Sequence, residues 1–327
     1  MRIAQLTAPK TFRFTQTKEP TLKNQAAPSV VVRVNRACIC GSDTPYYLGT
    51  APNLTFPADL GLSIHECVGT VEESTSERFK PGDKVLALPP HHRGLAEKFI
   101  ATEDRTVPLP DGFSSEILMA QPLGTVVWAC RKLPNILNLD AVVLGQGPMG
   151  LLINAALSNL GAKNVVGIDL IPERLALSKR MMATSAVNSS KENPGEQVKQ
   201  ITDGRMADLV VEAVGHQTDT MLECVRLLKR GGTLLAFGVP DDDIYPMPFR
   251  EMYSKNITLI HSVGPEVQPD FSLAMDFIHQ GRIDVSPILT HDFPFTEEGV
   301  QTAFDLFAER RDGAVKVVIH YEDGAFS

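Results

Sequence analysis

The chain has 327 residues, 43% hydrophobic and 21% charged, a composition that excludes a disordered or fibrous protein and leaves room for two folded domains. Its net charge of −8 argues against binding to duplex nucleic acid, which needs a cationic footprint to displace counterions. Five cysteines, at 38, 40, 67, 130 and 224, make a sparse and odd set, which reads as free thiols in a reducing compartment; a cytoplasmic location is expected.

In chain order, MRIAQLTAPKTFRF at the start alternates like a strand and lacks the apolar block of a signal peptide. SVVVRV (29–34), HECVGTVEE (65–73) and DKVLALP (83–89) are further strand candidates, joined by turns such as Lys80-Pro81-Gly82-Asp83. Near residue 120 the texture changes. AVVLG (141–145), NVVGID (164–169), ADLVVEAV (207–214), GTLLAFG (232–238) and NITLIHSVG (256–264) are mostly apolar throughout. Amphipathic stretches such as ERLALSKRMMA (173–183) and TMLECVRLLKRG (220–231) lie between them. That alternation is the mark of a parallel sheet covered by helices on both faces. The fold class is therefore α/β. A β-rich domain over 1–120 and 290–327 is interrupted by an inserted doubly wound domain over 121–289.

The 22 residues Ala141–Ala162 carry no charge, enough to cross a bilayer, but their glycines, Pro148 and the bracketing Asp140 and Lys163 favour a buried strand, turn and helix. Within them, Gly145-Gln146-Gly147-Pro148-Met149-Gly150 follows the strand candidate and opens the helical run. The first glycine permits a tight turn, the second lets the backbone approach a pyrophosphate, and the third lets the helix pack on the strand. The helix N-terminus adds partial positive charge. Asp169 closes the next strand candidate. A carboxylate there accepts hydrogen bonds from adenine-ribose hydroxyls and repels a 2′-phosphate, which favours NAD over NADP. Capping of the helix at Pro172, or a related strand–loop–helix that binds S-adenosylmethionine, are the competing readings.

The stretch RACICGSDTPYY (36–47) raises the question of Cys40. Cys38-Ile39-Cys40 is too close for a relaxed intrachain disulfide. A buried hydrophobe, a nucleophile and a metal ligand remain open; the last needs further donors, and His65-Glu66 offers an imidazole and a carboxylate.

CGSD (40–43), IHECVGTV (64–71), PGDKV (81–85), QPLGTVVWA (121–129), GQGPMG (145–150), Asp169 and GAVKVVI (313–319) occur in this order. Together they resemble the zinc-dependent medium-chain alcohol and polyol dehydrogenases over nearly the whole chain. The sorbitol and threonine dehydrogenase branch is the most similar, because GPMGLL matches its GPIGLL turn. The resemblance implies a GroES-like catalytic domain with an inserted Rossmann domain, Zn2+ and NAD as cofactors, and a homodimer or homotetramer. It implies an alcohol or ketone substrate, of secondary polyol, sugar or amino-alcohol type, and no membrane or nucleic-acid partner. Carried over by position, it makes Cys40 and His65 zinc ligands, and Glu66 a ligand or the carboxylate just behind one. Ser42 becomes the hydroxyl that passes a proton towards solvent, and Asp43 the acid that orients the zinc histidine. Gly145, Gly147, Pro148, Met149, Gly150, Asp169, Arg174 and Gly215 become the NAD site, with Arg174 against adenine. The need for a metal is large: zinc lowers the pKa of bound water from about 16 to about 7, equivalent to about 12 kcal/mol if an alcohol behaves alike.

The chain also departs from the family. Ile64 replaces the glycine before His65, and Pro45 replaces the relay histidine. Gln121 stands where a Glu or Cys ligand is usual; an amide carbonyl is a poorer ligand, so Gln121, Glu66 or water could complete the shell. After Val85 the chain runs LALPPHHRGLAEKF without the four-cysteine lobe, so one catalytic zinc and no structural zinc are expected. His91-His92-Arg93 in that short loop reads as solvated residues or as a basic clamp on an anionic substrate. Tyr46 or Tyr47 could stand in for the relay histidine, line the substrate pocket or be ordinary half-buried aromatics; Arg93 and Trp128 are further pocket candidates, and NITLIHSVG a candidate pairing edge between subunits. Two rivals stay open: a zinc-free NAD(P)H-dependent quinone or enoyl reductase on the same fold, and a non-catalytic dinucleotide-binding protein.

Overall fold

A computed structural model describes residues 1–23, 25–240 and 242–321. They form two units: Met1–Gln121 with Val267–His279 and the chain from Leu289 onwards, and Pro122–Glu266 with Gln280–Ile288. The helix Val267–His279, which the sequence reading placed in the nucleotide domain, groups with the first unit. Gln268 Nε2 there donates to the Thr106 carbonyl at 2.6 Å.

The first unit opens on the antiparallel pair Arg2–Ala8 and Thr11–Gln16. Its main sheet runs Leu289–Pro294, Lys316–His320, Ser29–Cys38, Glu66–Ser74, Lys84–Ala87, Thr106–Pro108. Lys98–Thr102 also pairs with the first half of Ser29–Cys38. That strand is buried along most of its length because it has neighbours on both sides, which is why its valines need no polar alternation. Phe12, Tyr47 and Phe304 form a ring cluster with centroids 4.8–5.7 Å apart in the core beside this sheet. Tyr47, considered above for the pocket, is therefore a core residue. Its hydroxyl donates to Asp305 Oδ1 at 2.6 Å and accepts from Gln301 Nε2 at 2.8 Å.

In the second unit six parallel strands lie in the order Ser185–Asn188, Asn164–Asp169, Asp140–Leu144, Ala207–Glu212, Leu228–Ala236, Thr258–His261. Counted along this sheet's chain order that is 3-2-1-4-5-6, the Rossmann arrangement, whose ligand crevice opens beyond the carboxyl ends of the first and fourth strands. The uncharged stretch resolves into the strand Asp140–Leu144, a glycine turn and the helix Pro148–Asn159. Among the described residues no helix is long and apolar enough to cross a membrane. The helix expected over 220–231 stops at Leu227 instead. Leu228 is extended, with ψ at 141°, and pairs with Ala207. Gly231 and Gly232 then make continued helix unfavourable, and the buried leucine gains a place on the sheet.

Tyr47→Phe removes a hydrogen bond to a carboxylate without opening a cavity. It should cost about 1.5–3 kcal/mol, seen as a lower urea midpoint at unchanged slope.

Candidate active site

The sheet register assembles the site. On Ser29–Cys38, Cys38 lies opposite Glu66 on one side and Val318 on the other. Cys40 follows two residues later, His65 precedes Glu66, and Lys316 opens the last strand, so all four meet at one end of the sheet. The Cys40 thiol, a ring nitrogen of His65 and a carboxylate oxygen of Glu66 lie within 4.8 Å of one another.

Asp43, 0% exposed, clamps the two loops that carry these side chains. Its Oδ2 accepts from the Cys40 backbone N–H and its Oδ1 from that of Ile64, both at 2.8 Å. His65 Nδ1 stands 4.0 Å from Asp43 Oδ1, beyond hydrogen-bond range. The orienting role expected of Asp43 is thus exerted on backbone, not on the imidazole. Ser63 and Ile64 have φ of 93° and 70°, a region that favours glycine, the residue the family resemblance expects before the histidine. Here an isoleucine, fully buried, is held in that conformation by Asp43 and by the Gly94 N–H on its carbonyl at 3.1 Å. A Cβ at Gly94 would come within 2.7 Å of that same carbonyl.

Glu66 turns both oxygens to Lys316 Nζ, at 2.7 and 2.5 Å, and Nζ also donates to the Ile39 carbonyl at 3.1 Å. Both Glu66 oxygens are engaged by a lysine, while one of them still lies within 4.8 Å of the Cys40 thiol and a His65 nitrogen. Burial pushes the Glu66 carboxyl up and the facing Lys316 ammonium pulls it back down, so its charged form depends on that lysine. Burial alone would lower Lys316, but Cys38, Glu66 and Cys40 outweigh it and hold the ammonium raised. Gln121 is buried near the start of the helix Ala120–Arg131.

Four buried polar atoms in this region have no protein partner: Ser42 Oγ, Ser63 Oγ, His65 Nδ1 and His92 Nδ1. Native proteins leave few such atoms, and each asks for an ion, a water or a ligand. With a thiol and an imidazole alongside, the donor set fits zinc. His92 was read as a solvated loop residue, but its ring packs 4.4 Å from that of His65. Burial, then His65, lower its pKa, which keeps the ring neutral. Tyr46 reaches His92, centroid to centroid, at 6.1 Å. Arg93 instead pairs with Asp59. Trp128 lies in the second unit, where its Nε1 donates to the Val263 carbonyl at 3.0 Å and Lys132 sits 4.5 Å above the ring. Lys316 was missed as a site residue, although a lysine within the apolar run GAVKVVI was itself a signal that an acid must pair with it.

In the second unit the glycine turn has the shape a pyrophosphate needs. Gly145 has φ of 95°, and a Cβ on Gly150 would sit 1.9 Å from the Gly145 carbonyl. A Cβ on Gly147 would meet nothing closer than Arg174 Nη1 at 3.9 Å, an open cradle ahead of Pro148, Met149 and the helix they begin. Asp169 accepts from Gln146 N at 2.7 Å and Ile171 N at 2.9 Å, with Arg174 Nη1 3.9 Å away. It therefore ties the turn and the next helix together while retaining lone pairs for a ribose hydroxyl. Gly215, φ 63°, follows the fourth strand of this sheet, and its N–H donates to Glu212 Oε1 at 3.1 Å. These residues fit a dinucleotide.

Replacing Lys316 by Met strands the Glu66 carboxylate. Equilibrium unfolding should show a loss of about 3–5 kcal/mol, largely recovered by the Glu66→Gln, Lys316→Met pair.

Residues 26–111 match the alcohol dehydrogenase GroES-like domain and residues 148–280 the zinc-binding dehydrogenase domain. A sorbitol dehydrogenase of Arabidopsis thaliana is 28% identical, the match covering 92% of this chain and 91% of that protein. An L-idonate 5-dehydrogenase of Vitis vinifera is 27% identical over 89% of this chain and 87% of that protein. Among solved structures, the alcohol dehydrogenase TADH of Thermus sp. ATN1 superposes with a TM-score of 0.87 at 26% identity, over 98% of this chain and 100% of that one. With the two domain models, the thiol–imidazole cluster and the glycine turn all in register, the chain belongs to the zinc-dependent medium-chain alcohol dehydrogenase family, on its sorbitol dehydrogenase-like side.

Proposed function

We propose that this protein is an NAD-dependent dehydrogenase of a secondary alcohol in a small polar molecule of polyol, sugar or amino-alcohol type. The reaction converts the alcohol and NAD+ to the ketone, NADH and a proton. The observation that carries the reading is the Cys40–His65–Glu66 cluster beside the unpartnered Ser42 hydroxyl. The kinship to sorbitol, L-idonate and alcohol dehydrogenases supports the substrate class.

Zinc, when bound, supplies a Lewis acid that makes an alcohol proton removable near neutral pH, and NAD, when bound, supplies the hydride acceptor. The chain's residues do the remainder. Cys40 and His65 hold the metal, and Asp43 fixes both of their loops. The Glu66–Lys316 pair sets the charge behind them. Ser42 Oγ takes the substrate proton and, with Pro45 in place of a histidine, passes it to water. Asp169 selects NAD by its negative charge at the ribose end of the turn.

One zinc per chain is the expected content, since no cysteine lobe follows Val85. The enzyme works in the cytoplasm as a homodimer or homotetramer. The strand Thr258–His261, with Val263 85% and Tyr253 78% exposed nearby, supports pairing at that edge.

Elemental analysis should find about one zinc per chain, and close to none in Cys40→Ser, with loss of NADH formation from a panel of polyols. Full zinc content in the variant would remove Cys40 from the shell. Asp169→Asn should raise the ratio of kcat/KM for NADP over NAD by about tenfold or more, a charge-assisted hydrogen bond being worth about 1.5–3 kcal/mol.

A further inference from the structure

We propose that His92 is itself a ligand of the zinc held by Cys40 and His65, filling the place that relatives give to a Glu or Cys where this chain has Gln121. The inference rests on the reading of Cys40 and His65 as a metal site and goes one residue beyond it.

Donor counting motivates it. Asp43, His65 and His92 each bring a candidate ligand atom within 4.8 Å of the others, as do Cys40, His65 and Glu66. Each Asp43 oxygen already accepts an N–H, from Cys40 or from Ile64. Both Glu66 oxygens face the Lys316 ammonium, so these carboxylates have partners, whereas the Nδ1 atoms of His65 and His92 have none. The two clusters share His65, so a metal held by Cys40 and His65 has the His92 ring, 4.4 Å from that of His65, beside it. A catalytic zinc uses three protein ligands and keeps the fourth position for water or substrate, and one thiol with two imidazoles would make up that number.

The backbone of the short loop points the same way. His91 and His92 have φ of 53° and 55°, two consecutive non-glycine residues in the left-handed region. Such strain persists only where the surroundings enforce it, and it concentrates at functional sites. The enforcement is visible. Gly94 N–H donates to the carbonyls of Ser63 at 3.2 Å and Ile64 at 3.1 Å, and Arg93 bridges to Ser63. The loop is thus stitched to the segment that carries His65, and the stitching lays the His92 ring against the His65 ring at 4.4 Å, inclined by 59°. The buried His92 Nδ1, like His65 Nδ1, has no protein partner. His91, its exposed neighbour, makes no such approach.

Zinc K-edge X-ray absorption on the zinc-loaded full-length protein decides the matter, together with zinc affinity measured by competition with a chromophoric chelator. The expected wild-type shell has one sulfur and two imidazoles. His92→Ala should keep the sulfur, lose one imidazole and bind zinc at least about tenfold more weakly, while His91→Asn matches wild type. A wild-type shell with a single imidazole, or unchanged affinity in His92→Ala, overturns the role of His92 and leaves the metal site standing. A wild-type protein that takes up no zinc overturns both. Should His92→Ala fail to fold, the wild-type imidazole count decides alone.

Discussion

Two backbone N–H groups, one from Cys40 and one from Ile64, point at the same buried carboxylate, and the site is organised around that convergence. A carboxylate out of water is tolerated only when its lone pairs are occupied, so Asp43 holds two otherwise independent loops at a fixed separation. Ile64 shows how firm the constraint is. A β-branched residue at φ 70° is unfavourable by itself, yet here it is fully buried and bonded at both its N–H and its carbonyl. The carboxylate and the sheet register together bring sulfur and imidazole within reach of one ion.

Charge is the second organising element. Lys316 and Glu66 are each almost wholly buried, and neither is tolerable there alone. A pair of this kind is poor at adding stability compared with two apolar residues of equal volume, so its presence marks a site where a particular charge arrangement is kept. Beside the Cys40–His65 pair it gives the site a fixed charge arrangement that salt screens far less than it would at the surface.

Much of this was legible in the residues. The glycine turn and Asp169 could be read because their demands are local: a positive φ, a close approach and a carboxylate one strand later. Cys40, His65 and Glu66 could be read through the family resemblance, from CGSD and IHECVGTV standing in order ahead of the glycine turn. The rest depends on pairing across long separations. Lys316 meets Glu66 across 250 residues; a lysine in an apolar run signals that some acid pairs with it, but not which one. His92 looked solvated because its neighbours are prolines, a histidine and an arginine; only the hydrogen bonds from Gly94 to Ser63 and Ile64 turn it inward. The early stop of the helix at Leu227 is a tertiary override of the same sort, a buried leucine taking a sheet position over a further helical turn.

The interleaving of the first unit has a consequence for biosynthesis. Its main sheet takes strands from both the early and the late parts of the chain, whereas most of the second unit is one continuous segment. At about 5–20 residues per second, about 10–50 s separate the emergence of Glu66 from that of Lys316 on the ribosome. By the end of that interval nearly all of the second unit has emerged, while the strand Ser29–Cys38 still lacks a neighbour on one side of its site-bearing end. An open strand edge is a place for wrong pairing until it is covered. Lys316–His320 covers it and brings Lys316 to Glu66.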